Sequence, residues 1–129
     1  MMGSDKMKIS ELIDLEHLVA VMPGHVYWLD LNNVYQGCND RQAKAFGLNS
    51  REEVVGKTNH DFTTVDYQMA EIWNQNNIEV MSSKLPRLVR EPSVLDDGSR
   101  VDVVSNKIPL LDKRDNVIGI LGVSLVLPA

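Results

Sequence analysis

Cys38 is the only cysteine in the chain, so no internal disulfide can form and no cysteine-based zinc cluster is available, a usage that fits a reducing compartment. Positive charge is also short. Lys and Arg number 13 against 18 Asp and Glu, for a formal net charge of -5, and the basic residues are scattered. The basic patch that phosphate binding needs is missing, which argues against direct nucleic-acid contact. No apolar run approaches the roughly 20 residues that cross a bilayer. The start of the chain lacks the basic-then-apolar layout of a secretory signal. Neither membrane insertion nor export is expected, and a cytoplasmic location follows as the default. There is no internal repeat and no low-complexity tract.

What is present is an ordinary globular composition. With 43% hydrophobic and 24% charged residues among 129, the chain is long enough for one domain with a single core. Residues 1–7 read as a disordered or tag-like start, 8–22 as an N-terminal amphipathic helix, and 23–129 as the domain proper.

From Lys8 to Met22, Ile9, Leu12, Ile13, Leu15, Leu18, Val19 and Met22 recur at three- and four-residue steps until Pro23-Gly24 stops the helix. His25 to Leu31, the turn residues Asn32-Asn33, and Val34 to Cys38 read as a hairpin. Four helix starts then follow in which a polar residue is matched three places on by an acid or amide: Asn39 with Gln42, Ser50 with Glu53, Thr58 with Asp61, and Thr63 with Asp66. Gly47 and Gly56 stop the first two. The fourth opens a longer helix from Asp66 to about Ser83, with Met69, Ile72, Trp73 and Val80 along one face. Beyond Pro86, Asp97-Gly98 and Asp112 to Asn116 punctuate three β-rich runs, an antiparallel meander whose last two members are Arg100–Leu110 and Val117–Leu127. Five antiparallel strands split two-plus-three by a helical insert make an α+β domain.

Several of these segments, in this order, resemble a PAS domain, the sensory module of many signalling proteins. Val26-Tyr-Trp-Leu-Asp30 is similar to its first strand, and Cys38 to Leu48 to its Asn-capped helix ending in glycine. Ser50 to Lys57 resembles its "sreEivGk" helix and turn. Asp97-Gly98, Ser105 to Leu110 and Asn116 to Ser124 resemble its hairpin tip and last two strands. The resemblance covers Pro23 to Leu127. It implies a five-stranded sheet of order 2-1-5-4-3 with the helical insert on one face, and it implies sensing rather than catalysis.

The family's ligands include haem, flavin, small carboxylates and metals, so the cofactor stays open. In the light-sensing subfamily a cysteine follows the "vvGkt" glycine; here Val54 to His60 has none, which rules out thiol-adduct flavin chemistry. Haem-binding members carry a histidine on or beside the long helix. Asp66 to Ser83 has none, which argues against haem, and His60 is the nearest candidate. His17 and His25 read as solvated. Cys38 reads as a small hydrophobe. Asp97 is expected on its turn and Asp102 on a solvent-facing strand position, and neither they nor Asp30 and Asp96 make an acid/base pair or a metal site.

A cavity between sheet and insert would be lined by Leu29, Phe46, Phe62, Met69, Trp73, Val89, Val103, Ile120 and Gly122; the alternative is that these residues simply fill the core. Gly119 and Gly122 inside a strand mark close approach by another group, a ligand or a packed helix. Ile9, Leu12 and Ile13 are expected to hold a homodimer against the open sheet face. The family's usual Asp-x-Thr exit is replaced by Val126-Leu127-Pro128, which departs from the usual C-terminal signalling helix. The expected function is a non-enzymatic sensory module that binds a small ligand or partner, as part of a bacterial sensor histidine kinase, cyclic-dinucleotide enzyme or transcription regulator. The alternative is a ligand-free dimerisation or protein-interaction module.

Overall fold

The computed structural model describes residues 14–128. Helix α1 spans Leu15–Val21, started by the Asp14 carboxylate accepting from the Glu16 amide. The rest of the expected first helix, and with it Ile9, Leu12 and Ile13, lies outside the described residues. Strands β1 (His25–Asp30) and β2 (Tyr35–Cys38) form the first hairpin. Its turn is organised by Asp30, whose carboxylate accepts from the amides of Asn32 at 2.9 Å and Val34 at 3.0 Å.

Helix α2 (Asp40–Ala45) is capped by Asn39, which is fully buried. Its side-chain oxygen accepts from both Gln42 and Val26 amides while its NH2 donates to the Gly24 carbonyl, so one side chain starts the helix and ties it to β1. Two single-turn 3-10 helices follow, Arg51–Val54 and Asn59–Asp61. The second carries the Thr58–Asp61 capping box expected from sequence, whereas the Ser50 side chain makes no cap bond. Gly47 and Gly56 both take positive φ, at 75° and 87°.

Helix α3 (Tyr67–Ser83) is capped by Asp66 itself, which accepts from the Met69 amide, and not by Thr63. A carboxylate one turn nearer the apolar run competes better for those amides and also takes Arg100. Met69, Trp73 and Val80 face inward, but Ile72 is 41% exposed. It precedes Trp73 by one position, a 100° rotation that carries it off the buried stripe.

Strands β3 (Arg87–Val94), β4 (Arg100–Leu111) and β5 (Val117–Val126) complete one antiparallel sheet of order β2-β1-β5-β4-β3. The helices cover its inner face. There Leu29, Val54, Met69, Val80 and Ile120 are fully buried, each burial contributing roughly 1.5–3 kcal/mol, and Phe46 stacks on Phe62 with ring centres 3.7 Å apart. On the edge strand β3, Pro92 has no N–H to offer, and its carbonyl accepts from Trp73 Nε1 at 2.8 Å.

The strand glycines make room for β1, which corrects the expectation of a ligand or helix at that place. A Cβ on Gly119 would lie 2.2 Å from the Leu29 carbonyl oxygen, and one on Gly122 would lie 2.1 Å from the Tyr27 ring. Gly37 does the same on the outer face, where a Cβ would meet the Trp28 indole at 2.0 Å. Alongside Trp28, that outer face carries Leu110 and Leu121, which border a groove with Val19 of α1.

Candidate functional site

Alternation along β4 turns Val103, Ser105 and Lys107 to the inner face together. Lys107 is thereby placed under the helical cover, where it is 1% exposed. A lone ammonium there would carry a large desolvation cost. Glu91 of β3, 2% exposed, compensates it with an ion pair of 3.0 Å. Both groups have further partners. Glu91 accepts from Ser105 Oγ at 2.8 Å and from Asn76 Nδ2 at 2.8 Å, and Lys107 donates to Asn77 Oδ1 at 2.7 Å.

The network continues across the sheet. Ser105 and Ser124, direct cross-strand partners, share a hydrogen bond of 2.6 Å, and Ser124 shares one of 3.0 Å with the Tyr27 hydroxyl. Lys107 Nζ also stands 5.5 Å from the Tyr27 ring centre, within cation–π range. A second branch joins the Tyr35 hydroxyl to Asn59 at 2.6 Å and Asn59 to Asn74 at 2.9 Å. Helix α3 thus supplies Asn76 and Asn77 to the sheet's ion pair and Asn74 to the Asn59 branch.

These groups surround a cavity of about 20 Å³, walled by Tyr27, Tyr35, Phe46, Trp73, Asn77 and Lys107 among others. That is room for about one water molecule. Burial works against the Lys107 ammonium, but Tyr27 and Glu91 outweigh it and hold its pKa above the ordinary lysine value. Burial raises Tyr35 well above the usual tyrosine range. His25, also in the wall, is 9% exposed and not solvated as its sequence position suggested; burial first, and then Arg41, lower its pKa.

Of the residues expected at a pocket, Phe46, Trp73 and Val103 line this cavity. Leu29, Phe62, Met69 and Ile120 pack in the hydrophobic core beside it. Val89 is half-buried on the edge strand outside the cavity wall, and Gly122 lies against the Tyr27 ring. His60 is exposed and bonds Glu71 at 2.7 Å, and His17 is exposed. Cys38 is buried, and burial chiefly pushes its thiol pKa up to about 12. Asp97 holds its turn through Ser99, Asp102 pairs with Arg90, and Asp96 pairs with Lys44.

Sequence reasoning passed over the polar members: Lys107, Glu91, Asn77, Ser105, Ser124, Tyr27 and Tyr35. A signal was available. Ser105 and Lys107 share the parity of inward Val103, and Asn74, Asn76 and Asn77 are poor helix formers gathered inside one helix.

Solved structures share this architecture. The VqmA dimer of Vibrio cholerae, described as a LuxR-type receptor, superposes with a TM-score of 0.80 at 20% identity, covering 95% of this chain and 52% of that one. A VqmA bound to DPO gives 0.79 at 20% identity, over 93% of this chain and 58% of that chain. The chain therefore spans little more than half the length of these proteins. The PAS domain of Bordetella pertussis BvgS gives 0.74 at 23% identity, with 93% and 88% covered. No curated protein sequence matches the chain. Residues 13–124 match the family model of the PAS fold, and the chain belongs to the PAS family.

Proposed function

We propose that this PAS domain is a sensory module that takes a small, uncharged, hydrogen-bonding ligand in the cavity at Lys107 and Glu91, and that it catalyses nothing. One observation carries the reading: the cavity holds a fully buried ion pair of zero net charge, ringed by side-chain amides and hydroxyls. An ionic ligand would leave one unit of charge uncompensated in a low-dielectric site. A neutral ligand with an acceptor for Lys107 and a donor for Glu91 would match the charges, and anything larger than a water would enter between the Tyr27, Tyr35 and Phe46 rings by displacing part of the wall. The DPO-bound VqmA and a PAS domain of a LuxR-family regulator from Burkholderia thailandensis complexed with ethanol support small-molecule occupancy within this fold.

The reading extends to a cytoplasmic homodimer. Two copies would meet through the outer sheet face around Trp28 and Leu121, with Ile9, Leu12 and Ile13 contributing. DNA contact, where a longer parent makes it, would belong to another domain, since this chain carries an excess of acidic residues. A ligand shifts the domain only as far as its affinity differs between the two states.

The small size of the cavity favours a second reading, a dimerisation module with a filled core. Native mass spectrometry of the purified chain distinguishes the two. A retained mass that is absent from the Lys107→Met/Glu91→Gln variant supports ligand sensing. A chain of bare mass that also binds nothing in an NMR screen of neutral heterocycles and small alcohols supports the filled-core module and ends the sensing reading.

A further inference from the structure

One side-chain amide joins the cavity to the β1–β2 turn. The Lys107 ammonium can only donate, so the Asn77 atom that meets it at 2.7 Å is the amide oxygen. The Asn77 NH2 is thereby turned away from the cavity, where it donates to Asn33 Oδ1 at 2.8 Å. Asn33 sits in the left-handed region, φ 59°, and its backbone amide closes the turn onto the Asp30 carbonyl at 3.1 Å. Asn77 and Asn33 are both buried, so solvent does not replace a lost partner. Were the Asn77 amide to flip, its oxygen would face the Asn33 oxygen, and Asn33 would have to turn as well.

We propose that Asn77 is a polarity relay that converts occupancy of the cavity at Lys107 into a conformational change at the Asn33 turn. The proposal rests on the ligand reading above and adds the route by which binding is reported. With room for about one water, any larger ligand must displace part of the wall. The Lys107–Asn77 bond, whose acceptor is an uncharged amide, yields before the Lys107–Glu91 bond, in which both groups are charged. Once Lys107 turns to the ligand, Asn77 keeps only its bond to Asn33, and rotation of the freed amide takes the donor from Asn33. The signal emerges at the surface close by: exposed Leu31 of that turn borders a hollow with Ile78 and Met81 of α3 and Val117 of β5.

The test is amide hydrogen exchange by NMR on the whole ligand-free chain. Lys107→Met/Glu91→Gln removes the orienting cation without leaving an unpaired charge. It should lower protection of the Asn33 backbone amide by roughly two- to tenfold, the effect of losing one anchoring hydrogen bond, with the Tyr27 and Leu29 amides of β1 unchanged. In an Asn77→Ala background, or in Asn33→Gly, which keeps the positive φ, the same charge removal should change nothing further at residue 33. Unchanged protection in the first comparison, or an equal loss in the broken-relay backgrounds, overturns the relay. Because no ligand is used, that failure would leave the ligand reading standing, and absence of a ligand would leave the relay measurable.

Discussion

Glu91 and Lys107 are not cross-strand partners. Glu91 is registered against Val103, and Lys107 against Arg87, four residue pairs away, yet their charged atoms meet at 3.0 Å because both long side chains reach toward each other along the inner face. The pair is a diagonal brace under the helical cover. Its worth depends on both ends being present.

Lys107→Met alone should therefore destabilise the domain by about 3–5 kcal/mol, since it strands a buried carboxylate. Lys107→Met with Glu91→Gln should recover most of that loss. Urea denaturation of the two singles and the double gives the coupling directly; strict additivity would contradict a paired buried site.

Stability should fall with acid through His25. Its folded pKa lies below the ordinary value of 6.5, so the unfolded chain takes up the proton first and the favourable contribution disappears as pH drops below 6.5. His25→Gln should flatten that part of the pH profile, measured as the urea midpoint between neutral pH and the onset of carboxylate titration.

Raised pKa values act at the opposite end. Lys107 and Tyr35 both titrate above their ordinary ranges in the folded state. Their stabilising contributions are complete below the unfolded values near pH 10 and are lost as pH rises toward the folded ones. Lys107→Met/Glu91→Gln should show a shallower alkaline decline than the parent chain in thermal melts.

Gly122→Ala should drive the Tyr27 ring out of its place, because the new Cβ would begin 2.1 Å from it. A destabilisation of about 1–3 kcal/mol is expected for such overpacking, together with loss of any small-molecule binding. Tyr27→Ala in the same chain should relieve the strain, which a double-mutant cycle would register as a favourable coupling.

Cys38 should behave as packing. With its thiol pKa at about 12 and its side chain buried, an aromatic disulfide reagent at mildly alkaline pH should label it only at the rate of opening, and promptly once urea unfolds the chain.

The sheet was legible because turn residues and β-branched runs report local backbone preference: strand number and both distal hairpins follow from Gly98 and the Asp112–Asn116 segment. Helix α3 was legible in extent but not in its cap, since Thr63 and Asp66 both offer an oxygen and the contact with Arg100 that favours Asp66 is tertiary. The apolar wall at Phe46, Trp73 and Val103 followed from periodicity. The polar wall did not. Lys107 and Glu91 lie 16 residues apart, and in isolation each reads as a surface charge; only the pairing of β3 with β4 makes their burial tolerable. The burial of His25 is hidden from the sequence for the same reason, since it arises from neighbours in β5 and α2.

Pro92 has a further consequence for how copies of this domain can meet. At mid-strand on β3 it lacks a donor, and its acceptor is already taken by the Trp73 indole. At the other margin, β2 is flanked by its own chain, with the Tyr35 amide on the Lys57 carbonyl and the Gly56 amide on the Tyr35 carbonyl. Neither border offers an unbroken ladder for a foreign strand. Runaway strand-by-strand growth into fibrils is thereby disfavoured, and of the sheet's two broad surfaces only the outer one, at Trp28 and Leu121, lies outside the helical cover.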